Sequence, residues 1–165
     1  MKKPFLLLFL FVVTFYYSQD KKEIIIKQAN EMRNHFMKKN YTAYSNYVYD
    51  GVIKMFGDKK RMIDASVDAV NRMEDAGFIF KNVNFSEVLN VINYKNELQA
   101  VVHQIIEMKT PKGNVLGDYY LIAFSKDGKL WRFIDTSGKD ISEVRKYFKN
   151  LSQELYIPKK KIKQE

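Results

Sequence analysis

The chain has no cysteine, one tryptophan, three prolines and two histidines in 165 residues. Without cysteine there can be no disulfide, no zinc site built on thiolates, no cysteine nucleophile and no cysteine-linked lipid anchor. The two histidines, His35 and His103, lie far apart, and neither sits in a His/Asp/Glu cluster at ligand spacing, so no metal site is expected. Arginine clusters and nucleic-acid-binding motifs are also missing. The formal charge of +9 therefore does not point to DNA or RNA. Much of that excess lies at the ends, in Lys2, Lys3 and the tail lysines Lys159, Lys160, Lys161 and Lys163, where it favours solubility.

Long apolar runs are scarce as well. One stands out, Phe5 to Val13 continuing through Phe15, preceded by Lys2-Lys3 and followed by Tyr16-Tyr17-Ser18-Gln19. It is shorter than the roughly 18 apolar residues that spanning a bilayer requires. Its pattern is that of a secretory signal, with cleavage expected after Ser18. The mature protein is then secreted or periplasmic and does not span a membrane. The expected organisation is a signal peptide over 1–18, one domain over 19–156 and a basic flexible tail over 157–165. A content of 46% hydrophobic and 15% aromatic residues suits one ordinary core.

The richest stretch runs from Glu97 to Thr136: ELQAVVHQIIEMKT, PKGN, VLGDYYLIAFSK, DG, KLWRFIDT. Three β-rich runs joined by two turn signals predict an antiparallel meander. Asp127-Gly128 is the stronger signal, because both central positions of a type I′ turn need φ > 0. If Lys126 pairs with Lys129, Phe124 falls opposite Trp131, Ile122 opposite Phe133 and Tyr120 opposite Asp135. If Pro111 pairs with Asn114, His103 faces Ile122. One sheet face then gathers His103, Tyr120, Phe124, Trp131, Phe133 and Asp135. Both faces are largely apolar, so each needs a cover.

Before the meander, Ile25, Ala29, Met32 and Phe36 follow one another at spacings of four, three and four, a helical stripe over 21–38. Asn40 suits the cap of a second helix carrying Tyr41, Tyr44 and Tyr47. Val52 to Phe56 is a short strand candidate. Asp58 can cap a third helix from about Lys59 to Ala76, stopped by Gly77 and striped by Met62, Ser66, Ala69, Val70 and Met73. Phe78 to Ile92 predicts one long strand, bulged near Asn84 to Glu87. Asp140 with Glu143 resembles a capping box for a last helix along Ile141, Val144, Phe148 and Leu151.

Helix, helix, short strand, helix and then a meander is an order that resembles the nuclear-transport-factor-2-like superfamily, with its SnoaL-like cyclases and ketosteroid-isomerase relatives. Asn40-Tyr41-Thr42-Ala43-Tyr44, Val52 to Lys59 and Asp127-Gly128-Lys129-Leu130-Trp131-Arg132-Phe133 carry the likeness, which covers roughly Lys21 to Thr136. It implies an α+β fold in which a cone-shaped, curved antiparallel sheet of about four long strands packs on three N-terminal helices. The helix after Asp140 is an addition to that plan. The resemblance also implies a conical pocket, in which enzymatic relatives use an Asp base, a Tyr donor or a His/Asp pair. Here the counterparts are Tyr44 or Tyr47, and His103 with Asp135. The Asp that isomerase-like members place in the short strand is missing from Val52 to Phe56.

Asp135, beside Trp131 and Phe133, suits either a proton-transfer group or the cap of the turn at Ser137-Gly138. His103 suits a base, a ligand contact or a satisfied core histidine. The tyrosines at helical spacing suit core or cavity lining. The expected pocket comprises Tyr44, Tyr47, His103, Tyr120, Phe124, Trp131, Phe133 and Asp135. The expected function is an exported module binding a small apolar or amphipathic molecule without a cofactor, as a homodimer through the sheet. The alternative is a small cofactor-free cyclase, dehydratase or isomerase using Asp135 or His103 as base and a helix tyrosine as donor.

Overall fold

The computed structural model describes residues 5–158, with side chains from Lys21 onward. The expected leader (1–18) and the lysine tail beyond Pro158 fall outside the described side chains. The fold is α+β. Its elements are α1 (Phe5–Met37), α2 (Tyr41–Tyr44) continued by a 3-10 turn (Ser45–Tyr47), α3 (Asp50–Met55), α4 (Lys59–Asp75), β1 (Ile79–Val88), β2 (Ile92–Tyr94), β3 (Glu97–Thr110), β4 (Gly113–Ser125), β5 (Arg132–Asp135) and α5 (Ile141–Tyr147). The strands form one antiparallel sheet in the order β1-β3-β4-β5, with β2 paired to the start of β3. Among the described residues no helix is long and apolar enough to cross a membrane.

Side-chain caps start three of the helices. Asn40 Oδ1 accepts the Ala43 amide at 3.1 Å, Asp58 Oδ1 that of Arg61 at 2.8 Å, and Asp140 Oδ1 those of Ser142 and Glu143 at 2.8 and 3.0 Å. At Gly77, which ends α4, φ is +82° and a Cβ would come within 3.1 Å of the Pro111 ring. Both facts favour glycine.

Both sheet faces are covered, as their composition requires. On one, Ile25, Ala29 and Met32 of α1 pack on Val88, Ala100, Val102, Leu121, Ala123, Trp131 and Phe133. On the other, Val144, Leu151 and Leu155 cover Val101, Ile122, Phe124 and Ile134. A fully buried aliphatic or Phe side chain stabilises by roughly 1.5–3 kcal/mol, so the C-terminal segment is integral to the fold.

The long strand expected over Phe78 to Ile92 is divided, β1 ending at Val88 and Ile92–Tyr94 forming the separate β2, and the structure corrects three further expectations. Val52 to Phe56 is not a strand: α3 occupies Asp50–Met55. The sheet contact falls earlier, where Val48 bridges Phe133 and the Tyr49 amide donates to Phe133 O at 3.0 Å. The Val52 amide then returns to Tyr49 O at 2.9 Å, turning the chain into a helix. A short apolar run fits either period, and the free backbone groups decided it. Second, α4 buries only Met62 and Val70 of its expected stripe, and Ala69 is exposed. This helix rests on the short helices rather than on the sheet.

The third correction concerns register. β3 and β4 close at Thr110–Gly113, so His103 faces Tyr120 rather than Ile122. That shift of two residues preserves the faces. Between β4 and β5 the shift is one residue: Leu121 pairs with Asp135, Ala123 with Phe133 and Phe124 with Arg132. A one-residue shift turns every side chain over. The cause is the connection. Asp127 Oδ1 accepts the amides of Lys129 and Leu130 at 2.8 and 2.9 Å, and the Gly128 amide donates to Ser125 Oγ at 2.9 Å. These bonds build a longer side-chain-braced loop in place of a two-residue turn. Trp131, Phe133 and Asp135 therefore lie on the α1 face, while Tyr120, Phe124 and His103 lie on the other.

Candidate functional site

A hollow of about 120 Å³ opens between α1, α2 and the sheet. Met32, Arg33 and Phe36 of α1 and Tyr44 of α2 form one wall. Phe80, Val83 and Phe85 of β1, Gln104 and Ile106 of β3, Leu121 of β4, and Phe133 and Asp135 of β5 form the other. The α1 residues reach it because positions 32, 33 and 36 share one side of a helix. Asn40 ends the turn after α1 and starts α2, which brings Tyr44 over the same opening; its ring lies 5.7 Å from Phe36. The bulges in β1 near Phe80–Asn82 and Phe85–Glu87 bend that strand around the opening.

Four polar groups meet this apolar lining. Arg33 Nη1 donates to Val83 O at 3.0 Å, which fixes the guanidinium against β1. Gln104 is buried, and its side chain hydrogen-bonds Asp135. Asp135 Oδ1 also accepts the Ser137 amide at 2.6 Å. Asp135 is exposed at the strand end and also lines the hollow. Lost hydration pushes this carboxyl above the usual carboxylate range, against the opposing pull of the Ser137 amide, Gln104 and Lys139. Burial likewise raises the Tyr44 hydroxyl, with the negative charge of Asp135 as the next cause. Unlike Tyr47 and Tyr49, which bond Glu31 and Asn150, Tyr44 makes no side-chain hydrogen bond among the described residues. The hollow thus offers a neutral phenol donor beside a carboxyl whose proton is held more tightly than usual.

The expected pocket residues separate into three places. Tyr44, Phe133 and Asp135 line the hollow. Tyr47 and Trp131 border a different recess with Gln28 and Arg132. There the Tyr47 hydroxyl donates to Glu31 at 3.0 Å and its ring stacks on His35 at 5.9 Å. Trp131 is buried, its Nε1 donating to Gly128 O at 3.2 Å and its amide to Gln28 Oε1 at 2.8 Å. Its place is structural. His103, Tyr120 and Phe124 lie across the sheet, Phe124 stacked on Tyr49 at 4.0 Å. His103 and Asp135 consequently do not form a pair.

Arg33, Phe36, Phe80 and Gln104 are lining residues that the sequence reading passed over. Gln104 had a visible signal, a lone amide between Val102 and Ile106 on an apolar strand face. Such a buried group needs a polar partner, and Asp135 at the strand end supplies it. Among the described residues no group of three or more His, Asp or Glu side chains could hold a metal ion. Compared with known proteins, the chain matches no protein-family model and no curated sequence.

Proposed function

We propose that the protein is an exported module that binds a small apolar or amphipathic molecule in the hollow, the counterpart of the conical pocket of nuclear-transport-factor-2-like proteins. The observation that carries this reading is that Tyr44, Gln104 and Asp135, with Arg33, line one largely apolar space. At about 120 Å³ the hollow suits a ring-sized group; an engineered protein cavity of about 150 Å³ accepts benzene. A carbonyl or hydroxyl on that group would meet Tyr44 and Asp135, and a longer chain would leave past Arg33. Small cyclic ketones and phenols, titrated while the methyl signals of Leu121 and Ile106 are followed by NMR, test this. Saturable shifts at those two residues support it, and none at millimolar ligand removes it. The homodimer belongs to the same proposal. The C-terminal segment covers Val101, Ile122 and Phe124, which directs any sheet-mediated contact to the distal β3–β4 arm, where Val115 and Leu116 are exposed. Solution mass tests that part.

The second reading, a small cofactor-free enzyme, is favoured by one observation: a carboxyl shifted upward shares the hollow with a tyrosine donor. Asp135 would take a proton from carbon beside a carbonyl held by Tyr44. His103 has no part in it, since it lies on the opposite sheet face. Deuterium exchange into a cyclic ketone, faster with the wild-type protein than with Asp135→Asn, would support this reading; equal rates would remove it.

A further inference from the structure

We propose that Ser86, His103 and Asp118 form a second site, an acyl-accepting serine on the sheet face opposite the hollow, with short activated esters as its substrate class. Ser86 Oγ lies 2.6 Å from His103 Nδ1, and His103 Nε2 lies 2.7 Å from Asp118 Oδ1. The three residues sit on the neighbouring strands β1, β3 and β4. The bulge between Phe85 and Glu87 makes Ser86 the extra residue opposite His103, a device that re-aims side chains.

The direction of both hydrogen bonds follows from the groups. An ionised Asp118 only accepts, so Nε2 carries the ring proton and donates it. The Nδ1 of a neutral ring then only accepts, so the Ser86 hydroxyl must donate to it. A serine O–H aimed at an imidazole that a carboxylate holds in one tautomer is the arrangement of an activated nucleophile, recognised by roles and not by sequence order. Ser86 is exposed, while the His103 side chain is only 20% exposed. The nucleophile is therefore open to reagents and its base is sheltered. The Tyr120 ring flanks His103 at 5.2 Å. None of these residues lines the hollow, so the inference is independent of the proposed function.

In the first step Ser86 Oγ bonds the ester carbonyl carbon while its proton passes to His103 Nδ1, and the Asp118 carboxylate balances the imidazolium. The bond to the leaving oxygen then breaks, and that oxygen takes the proton, giving acyl-Ser86 and an alcohol or phenol. Water, losing its proton to the same nitrogen, adds to the acyl carbon and releases the carboxylic acid and Ser86. General-base help is worth about 10²–10⁴-fold, enough for aryl esters and far short of amides.

The full chain, treated with 4-nitrophenyl acetate and separately with a fluorophosphonate, is followed by intact mass and peptide mapping. The expected result is one adduct, on Ser86, forming about 100-fold faster than any adduct on Ser86→Ala. His103→Gln should abolish this advantage. Asp118→Asn should reduce it about tenfold, with partial recovery in Asp118→Glu. The wild-type rate should rise with pH through a single step that His103→Gln lacks. The charged and titratable groups beside His103 are Glu87 of β1 and Tyr120 of β4, its strand-pair partners, and Asp118, its hydrogen-bond partner. Melting curves check that each variant folds. Modification of Ser86 no faster than that of other serines, or a Ser86 rate unchanged in His103→Gln, would overturn the proposal.

Discussion

Tyr44 and Asp135, ninety-one positions apart in the chain, share the hollow closely enough that the carboxylate's charge adds to burial in raising the tyrosine hydroxyl. The pairing depends on two local features. One is the Asn40 cap that starts α2. The other is the Asp127 loop that sets which face β5 presents.

Asp135→Asn should stabilise the protein near neutral pH. Its carboxyl titrates above the ordinary range in the folded state, so its contribution to stability is fully present below the unfolded pKa and is lost as pH rises through the folded pKa. At pH 7 the wild type holds a poorly hydrated charge that the amide lacks, while an Asn side-chain oxygen can still accept the Ser137 amide. Discounted for the solvent that reaches the strand end, the gain is below about 1 kcal/mol, or a melting temperature up to about 2–4 °C higher. At pH 3, with the carboxyl protonated in both states, the difference should vanish. Thermal melts of both proteins at pH 7 and pH 3 check this.

Asp127 should act in the opposite sense. Its carboxyl is held below the usual range, first by the Leu130 amide, then by that of Lys129. A depressed folded pKa contributes stability that is present above the unfolded pKa and is lost as pH falls through the folded one. Asp127→Ala should therefore melt lower than wild type at pH 7, and the gap should close on acidification below about pH 4, the ordinary carboxyl range. A gap that persists at pH 2 would assign the loop's stability to something other than the ionised carboxylate.

That loop also marks where the sequence stopped being legible. Caps and stops at Asn40, Asp58, Gly77 and Asp140 could be read locally, because each depends on the backbone within one turn. The bulge near Asn84 to Glu87 and the two apolar faces were legible too. Asp127-Gly128 was misleading, because the dipeptide signals a turn without disclosing that the Asp side chain would bind two amides and lengthen it. One added residue of pairing moved Trp131, Phe133 and Asp135 to the α1 face. Asp135 met the helix tyrosine, while His103 was left to Ser86 and Asp118. Neither partner of His103 was a candidate in sequence, since strand pairing alone brings them together.

Trp131 holds the loop against α1, and removing it should be among the more damaging single changes. The side chain is 2% exposed and sits among Ile25, Ala29 and Phe133. Trp131→Ala should cost about 3–5 kcal/mol. Gln28 binds the same loop twice, accepting from the Trp131 amide at 2.8 Å and donating to Lys129 O at 2.6 Å. Gln28→Ala should cost about 1–3 kcal/mol, because it leaves the Trp131 amide without its partner. Urea unfolding of both variants measures these losses, and a Gln28→Ala value near zero would show that solvent replaces the glutamine.

The segment after α5 should behave as part of the sheet's cover. Leu151 and Leu155 are buried against Val101, Ile122 and Phe124. Polar bonds fasten the same segment. Buried Gln99 donates to Asn150 O at 2.8 Å and accepts the Ser152 amide at 2.9 Å, while Arg145 Nη2 donates to Ser152 O at 2.7 Å and Leu155 O at 2.8 Å. Leu151→Ala should cost about 2–5 kcal/mol. Ending the chain at Tyr147 should do more than destabilise, since it bares a continuous apolar face, and such faces drive association. The shortened protein should bind a hydrophobic dye and show a larger solution mass than the full chain. An unchanged mass and no added dye binding would mean that the segment contributes little cover, and the two-sided core would have to be held by α1 alone.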